Sequence, residues 1–201
     1  RDGDRSDPRY DRGERIGEYR AQVKQGTVYG GWSRGLVDGH VLRWTAGVTY
    51  DDRRFSAVPL TTLPTVPPPD RKLVYPWIAA EWLQDDFREA RNRDQIERTE
   101  DFAYGWRARA QLGFANDAFG ADRNAAIFDA RVSRGIEPAP RQTWLFAASV
   151  TGRYEDGDFA DTILAGSTRW YLRQSDRRLL FASLGFEAGH RLDADRQILL
   201  G

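Results

Sequence analysis

Apolar and polar residues alternate along most of this chain, in runs of about ten residues. Between residues 104 and 114 every even position is apolar or aromatic, whereas the odd positions include Arg107, Arg109 and Gln111. A period of two places successive side chains on opposite faces of a β-strand. The pattern therefore predicts a strand with one face that avoids water and one face that carries charge.

The same alternation recurs along the chain. It is clearest in residues 42–50, 126–133, 144–154, 164–173 and 180–188. Polar segments separate the runs, and one of them, Asp38-Gly39, is a hairpin turn signal. Residues 1–15 are mostly charged residues, Gly, Ser and Pro, which predicts a polar lead-in or loop. We therefore predict an all-β antiparallel domain over residues 16–201, with roughly nine strands when each run counts as one.

Composition excludes several classes of function. The 30 basic and 30 acidic residues balance, which argues against a nucleic-acid partner. The chain has no cysteine and only two histidines, His40 and His190, so thiolate sites, disulfides and histidine-rich metal sites are not expected. We predict no cofactor and no bound metal. The chain starts at Arg1 without Met and stops at Gly201 directly after an apolar run, so we expect a piece of a longer protein.

Run length and side-chain distribution favour a membrane-spanning barrel. Strands of a soluble sandwich usually have about 5–6 residues, whereas strands that cross a bilayer need about 9–11. The apolar positions are rich in Ala and Gly and have aromatic residues near the ends of the runs, as interfacial belts do. We predict that the polar positions face a wet lumen, and that a soluble antiparallel β-domain is the alternative. The candidate lumen charges are Arg107, Arg109, Asp129, Arg131, Arg169, Arg173 and Glu187.

Those charges suggest ion pairs between neighbouring strands. We expect Arg107 and Arg109 to pair with Asp129, and Arg169 and Arg173 to pair with Glu187. A functional version of this hypothesis is that the charges hold a loop folded into the lumen.

Three segments interrupt the alternation. Residues 51–71 are rich in charge and proline, which predicts a long extended loop. Pro76 lies within an aromatic run and cannot donate to a ladder, so we expect an edge or a bulge there. Residues 85–101 are densely charged, and we interpret them as strand extensions around a turn near residues 92–94.

Two chemical features suggest alternatives to a non-enzymatic role. A barrel hydrolase acting on lipid would need Ser167 or Ser183 as nucleophile with His40 or His190, but no elbow motif surrounds either serine. The acidic stretch from Glu155 to Asp161 offers oxygen ligands for calcium but lacks the spacing of an EF-hand. We predict that the chain is not an enzyme.

Several segments resemble one family of bacterial outer-membrane proteins. They are Leu73-Val74-Tyr75-Pro76-Trp77 with Glu81-Trp82, residues 91–101, Ala118-Phe119-Gly120 with Asp122-Arg123, residues 188–193 and residues 197–201. Their residue patterns resemble those of the barrel of the BamA/TamA-like surface-antigen superfamily, and the resemblance extends from roughly residue 26 to the end. The resemblance implies a partial transmembrane β-barrel, with roughly nine strands of about sixteen, in the bacterial outer membrane.

The resemblance also implies a function. Members of this superfamily insert or translocate polypeptides across the outer membrane, so the expected partners are outer-membrane lipids and client polypeptides. Their hallmark is an Arg-Gly-Tyr tip on a loop that folds back into the lumen, and the present sequence does not include it. The candidate start of that loop is the segment with Arg191, Asp193 and Gly201, and the turn at residues 174–177 would face the periplasm. A passive porin-like channel is the alternative within membranes.

Overall fold

The computed structural model describes residues 2–11, 14–58, 66–91, 99–175, 178–193 and 196. They form eleven β-strands and one short 3₁₀-helix, which confirms the all-β prediction.

The strands follow one another along the chain with few interruptions. They are β1 (Asp2–Asp11), β2 (Glu14–Val37), β3 (His40–Ala57), β4 (Arg71–Gln84), β5 (Phe87–Arg91), β6 (Thr99–Ala103), β7 (Arg107–Ala115), β8 (Ala125–Ala139), β9 (Gln142–Glu155), β10 (Asp158–Ser175) and β11 (Arg178–His190). The 3₁₀-helix, Asp117–Phe119, lies between β7 and β8.

Nine strands form one antiparallel sheet in the order β1-β2-β3-β4-β7-β8-β9-β10-β11. Each strand pairs with its neighbour in the chain, except that the separate β5–β6 hairpin stands between β4 and β7. Within the described residues the sheet is open, with β1 and β11 as its two edges. The antiparallel sheet is therefore observed, whereas a closed barrel is not.

Two of the hairpin turns have the Asp-Gly sequence that such turns favour. Asp38 and Gly39 have φ values of 49° and 76°, and Asp156 and Gly157 have values of 52° and 83°. Positive φ at both central residues defines a type I′ turn, whose twist matches that of the flanking strands. The hairpin predicted at residues 38–39 is confirmed.

The sheet curves around its polar face. One cavity of about 500 Å³ is lined by residues from seven strands, among them Gln25 on β2, Arg109 on β7 and Asp161 on β10. A flat sheet would hold these strands too far apart to share a cavity, because neighbouring strands are spaced about 4.8 Å. We call this side the concave face and the opposite side the convex face. The registers put odd-numbered residues from Thr27 to Glu187 on the concave face and even-numbered ones on the convex face, apart from local bulges.

The amino-terminal segment differs from its prediction. The sequence predicts a polar lead-in or loop over residues 1–15, but Asp2–Asp11 forms β1. This strand pairs with β2 from Asp2 opposite Lys24 to Asp11 opposite Glu14. A ladder needs backbone N–H and C=O groups rather than apolar side chains, and the edge of β2 supplies them.

The predicted loop over residues 51–71 is also shorter than expected, because β3 continues to Ala57. Ion pairs allow this extension: Arg53 Nε lies 3.0 Å from Asp51 Oδ1, and Arg54 Nη2 lies 3.4 Å from Asp52 Oδ2. Pro76 causes no bulge and pairs with Val48 of β3. The ladder between β4 and β7 ends one residue away, at Trp77, so Pro76 lies beside a local edge.

The charged segment 85–101 is strand in part, as predicted, but β5 and β6 form a separate two-stranded sheet and not continuous extensions of β4 and β7. The turn expected near residues 92–94 and the candidate loop residue Gly201 lie outside the described residues.

Candidate functional site

The convex face has no Asp, Glu, Lys or Arg across its middle. Its even positions within residues 26–32, 42–50, 74–82, 108–114, 126–132, 144–154, 164–172 and 180–188 are Ala, Gly, Thr, Pro, larger aliphatic residues and aromatics. Val28, Leu112 and Leu184, on strands far apart in the sheet, are 80%, 64% and 71% exposed. An apolar surface that spans eight strands far exceeds the few hundred Å² that a monomer in water usually exposes.

Aromatic residues bound this apolar surface at both ends of the strands. Six of the seven tryptophans lie near one end, namely Trp32, Trp44, Trp82, Trp106, Trp144 and Trp170. Tyr50, Phe114, Phe128, Tyr154 and Phe159 lie near the other. From Trp144 to Tyr154 the strand advances about 33 Å. At the tilt of a membrane barrel this corresponds to an apolar band of about 25 Å.

The tryptophan end also provides polar partners. With its amide oxygen turned toward the indoles, Gln142 accepts hydrogen bonds from Trp170 Nε1 at 2.9 Å and from Trp144 Nε1 at 3.2 Å. His40 stacks on Trp82 with ring centroids 5.3 Å apart. Indoles with one apolar side and one hydrogen-bonded edge are typical of a boundary between an apolar and a wet region.

The seven candidate lumen charges share the concave face, but the structure shows none of the ion pairs predicted between them. Asp129 pairs with Arg131 on its own strand, at 2.9 Å between Nη2 and Oδ2, and not with Arg107 or Arg109. Arg109 donates instead to Gln111 Oε1 at 3.0 Å, and the Arg107 guanidinium lies 5.2 Å from the Phe87 ring centroid. Neighbours two positions apart on one strand also share a face, which the expectation of cross-strand pairs overlooked.

The predicted pairing of Glu187 with Arg169 and Arg173 fails for reasons of register. Glu187 lies opposite Ala165, whereas Arg169 lies opposite Ser183, four positions away on β11. Four residues of a strand span about 13 Å, well beyond ion-pair distance.

A buried group of charges lies at the loop end of the concave face, where β4 and β10 begin and β9 ends. We call it the arginine–aspartate cluster; its members are Arg71, Arg153, Glu155, Asp161, Asp193 and Arg196. Its three positive and three negative charges balance. At its centre Arg153, whose side chain is 6% exposed, contacts Asp193 at 2.7 Å, Glu155 at 3.2 Å and Asp161 at 3.3 Å.

The cluster attaches the segment after β11 to the concave face. Asp193 also pairs with Arg71 of β4, and Arg196 Nη1 lies 2.7 Å from Asp161 Oδ2. The Asp161 N–H donates to the Arg191 carbonyl at 2.8 Å, and the Arg191 side chain pairs with exposed Asp158 at 2.9 Å. Of the candidate loop residues, Asp193 therefore lies against the concave face and Arg191 at its rim.

The opposite end of the concave face is closed by hydrogen bonds, an ion pair and a cation–π contact around Tyr104. This buried residue lies between β6 and β7, and its hydroxyl lies 2.9 Å from Glu137 Oε1 and 3.0 Å from Thr143 Oγ1. Arg88 of β5 pairs with Glu137 at 2.8 Å and stacks over the Tyr104 ring. The base of the β5–β6 hairpin is thereby fixed over this end of the sheet.

The loop between β7 and β8 folds back onto the start of β4. The Asp122 carboxylate accepts from the Lys72 N–H at 2.9 Å and from Arg123 Nε at 2.8 Å. Partial burial opposes ionisation of Asp122, but the hydrogen bonds from Arg123 and the Lys72 backbone outweigh it and lower the pKa of this carboxyl.

The structure does not assemble the residues of the hydrolase alternative. Ser167 and Ser183 lie on the concave face, opposite Gly185 and Arg169. His190 is even-numbered and pairs with Thr162, and His40 stacks on Trp82 of the convex face. Side chains on opposite faces of a strand cannot form a nucleophile–base hydrogen bond.

Three of the acidic residues between Glu155 and Asp161 form ion pairs with arginines. Glu155 and Asp161 pair with Arg153, and Asp158 pairs with Arg191. In the described ranges, no group of three or more His, Asp and Glu side chains is arranged to hold a metal ion.

Sequence reasoning named Asp193 but not its main partners. Arg71 and Arg153 are separated from Asp193 by 122 and 40 residues, and meet it only because the sheet curves. Both arginines have odd numbers and lie at the loop ends of their strands. This pattern indicates that they lie on the concave face, but it does not identify their partners.

No protein-family model matches this chain, and neither a curated protein nor a solved structure matches it. Across the described residues, no helix is long and apolar enough to cross a membrane.

Proposed function

We propose that this chain forms part of a membrane-spanning β-barrel of the bacterial outer membrane, with the convex face against lipid and the concave face toward a lumen. The observation that carries the proposal is the convex face, which has no charged residue between two aromatic belts on eight neighbouring strands. Lipid covers such a surface without cost, whereas water does not. A soluble antiparallel domain would have to expose it, so that alternative is less favoured.

We further propose that the barrel takes part in inserting or translocating polypeptides. This step rests on the resemblance to the BamA/TamA-like superfamily, whose hallmark loop folds into the lumen. The attachment of Asp193 to Arg71 and Arg153 supports it, because it folds the start of the next segment inward. A passive porin-like channel is the second candidate, favoured by the water-accessible concave cavities of about 470 and 500 Å³.

Tryptophan fluorescence tests the membrane part of the proposal. The full chain is folded into phosphatidylcholine vesicles whose acyl chains carry bromine, which quenches nearby indoles. Six convex tryptophans are expected to be quenched, whereas Trp77 is concave and bonded to Thr49 at 3.0 Å. Trp144→Phe should therefore lower the quenched signal, and Trp77→Phe, the matched control, should leave it unchanged. Monodisperse protein in buffer without detergent, with no quenching, would refute the proposal.

A second experiment separates the two membrane functions. Vesicles with and without the protein receive an unfolded outer-membrane barrel as client, and its folded, protease-resistant fraction is measured over time. Faster insertion in the protein-containing vesicles supports the assembly function. Stable ionic conductance across a planar bilayer without any acceleration of client folding would instead support the channel.

A further inference from the structure

We propose that the middle of the concave face holds a binding site for a water-borne anion of the phosphate type, formed by Arg107, Arg109 and Arg131. This inference goes beyond the membrane function and does not depend on it, because the site lies on the face opposite the apolar surface.

The first step of the argument is the local charge balance. Arg43 and Glu81 pair at 3.2 Å, and Arg131 pairs with Asp129. In the part of the chain that the structure describes, no carboxylate pairs with Arg107 or Arg109, whose contacts are the Phe87 ring and the neutral Gln111 amide. Two positive charges on this face therefore have no carboxylate partner there.

The second step is their arrangement. Arg107 and Arg109 are two positions apart on β7, and Arg109 lies directly opposite Arg131 on β8. Like charges placed opposite each other in a sheet are destabilising. Glu81 on β4 lies directly opposite Arg109 on β7, but it does not relieve the repulsion, because its carboxylate is turned to Arg43. An anion placed between the guanidinium groups would relieve it.

The third step is space and hydrogen bonding. On β9 and β10, the next two strands of the sheet, small residues occupy the positions in register with these arginines. A cavity of about 470 Å³ lies over them, a volume within the usual range for small-molecule sites. Its lining includes the hydroxyl residues Ser133, Ser149 and Ser167, several alanines and one carboxylate, Glu81, which pairs with Arg43. Ser133 lies opposite Arg107, and Ser149 lies opposite Arg131. The cavity is thus lined by three arginines and three hydroxyl groups, and its single carboxylate is already paired.

The donor set indicates the class of ligand. Guanidinium groups bind phosphate and carboxylate oxygens through two parallel hydrogen bonds, and hydroxyl groups add single donors. A multiply charged phosphate group uses several guanidinium groups at once. A lipid phosphate presents the same chemistry but would bring acyl chains onto the polar face, so we assign the site to a free anion.

Calorimetric titration of the detergent-solubilised full chain with sodium pyrophosphate tests the proposal. Wild type should bind saturably, and more weakly as NaCl increases. Arg107→Gln and Arg109→Gln should each weaken binding about tenfold or more. Arg109→Lys keeps the charge but loses the planar guanidinium group, so its affinity for pyrophosphate should lie between those of Arg109→Gln and wild type. The matched control, Arg34→Gln, removes an exposed arginine near the β2–β3 turn and should change affinity less than about twofold.

Two results would overturn the proposal. One is the absence of saturable pyrophosphate binding by wild type, or equal affinity in all four variants with native circular dichroism. The other is binding of a short-chain phosphatidic acid without binding of pyrophosphate, which would assign the arginines to lipid. Because the titration needs no bilayer, a failure to insert into vesicles leaves its result interpretable.

Discussion

The convex face of the sheet has no charged residue between its aromatic belts, whereas the concave face of the same strands carries arginines on most of them. The convex face is uniform in composition, since apolar and aromatic residues fill it from β2 to β11. The concave face is divided: charges are paired and mostly buried at the loop end, and a tyrosine network closes the turn end. Between them lie Arg107 and Arg109, which pair with no carboxylate of the described residues. Whether a residue is odd- or even-numbered determines which face of the sheet it occupies, but the curvature of the sheet determines which residues come into contact.

The largest expected effect comes from placing a charge on the convex face. Ala110 lies in mid-strand, opposite Ala80 and Ala130, so Ala110→Arg would put a guanidinium near the centre of the apolar band. We expect a loss of about 2–4 kcal/mol in folding free energy in vesicles, measured by urea titration.

A concave alanine supplies the control. Ala165 is concave and lies opposite Glu187, so Ala165→Arg gains a carboxylate neighbour and should fold like wild type. Equal loss in both variants would contradict the assignment of the two faces to lipid and lumen.

The next largest effect is expected from a substitution that breaks the arginine–aspartate cluster. Arg153→Met leaves three carboxylates with fewer partners in a mostly buried site, and we expect the free energy of unfolding to fall by about 3 kcal/mol. Arg191→Met, at the same end, removes only the exposed pair with Asp158 and should change stability little. If protease then cuts wild type and Arg153→Met at equal rates after β11, the cluster does not hold that segment.

The sequence predicted the strands and their faces well, because a period of two is a local property of residues such as those from Arg107 to Phe114. It predicted β1 poorly, because the pairing of a polar segment depends on an available edge of β2. It also failed for ion pairs: Asp129 has Arg131 two positions away, a nearer partner than any across the sheet. Asp193 and Arg71 meet through tertiary curvature, which alternation does not encode.

A smaller effect concerns the turn end of the concave face. Tyr104→Phe keeps the ring but removes a hydroxyl bonded to Glu137 and Thr143, and should cost about 1–2 kcal/mol of unfolding free energy. Tyr154→Phe is the control, because the Tyr154 hydroxyl bonds to none of the described residues and lies in the convex belt. Urea titration of both variants compares them, and similar losses would mean that the network closing the turn end adds nothing to stability.

The smallest effect is a pH dependence of the loop between β7 and β8. Because folding lowers the pKa of Asp122 below its ordinary value of 3.8, ionised Asp122 stabilises the fold above that value, and the contribution is lost as pH falls through the folded-state pKa. Asp122→Asn should therefore be less stable than wild type at pH 6, by under about 1 kcal/mol because solvent screens this partly exposed pair, and the difference should shrink below pH ~4. Asparagine can still accept the Lys72 backbone hydrogen bond, but its NH2 group then replaces the oxygen that accepts from Arg123 Nε, so the variant removes the charge together with that hydrogen bond. A difference that stays constant between pH 6 and pH 3 would mean that the Asp122–Arg123 pair contributes nothing, and that paired charge stabilises this protein only where the concave face buries it.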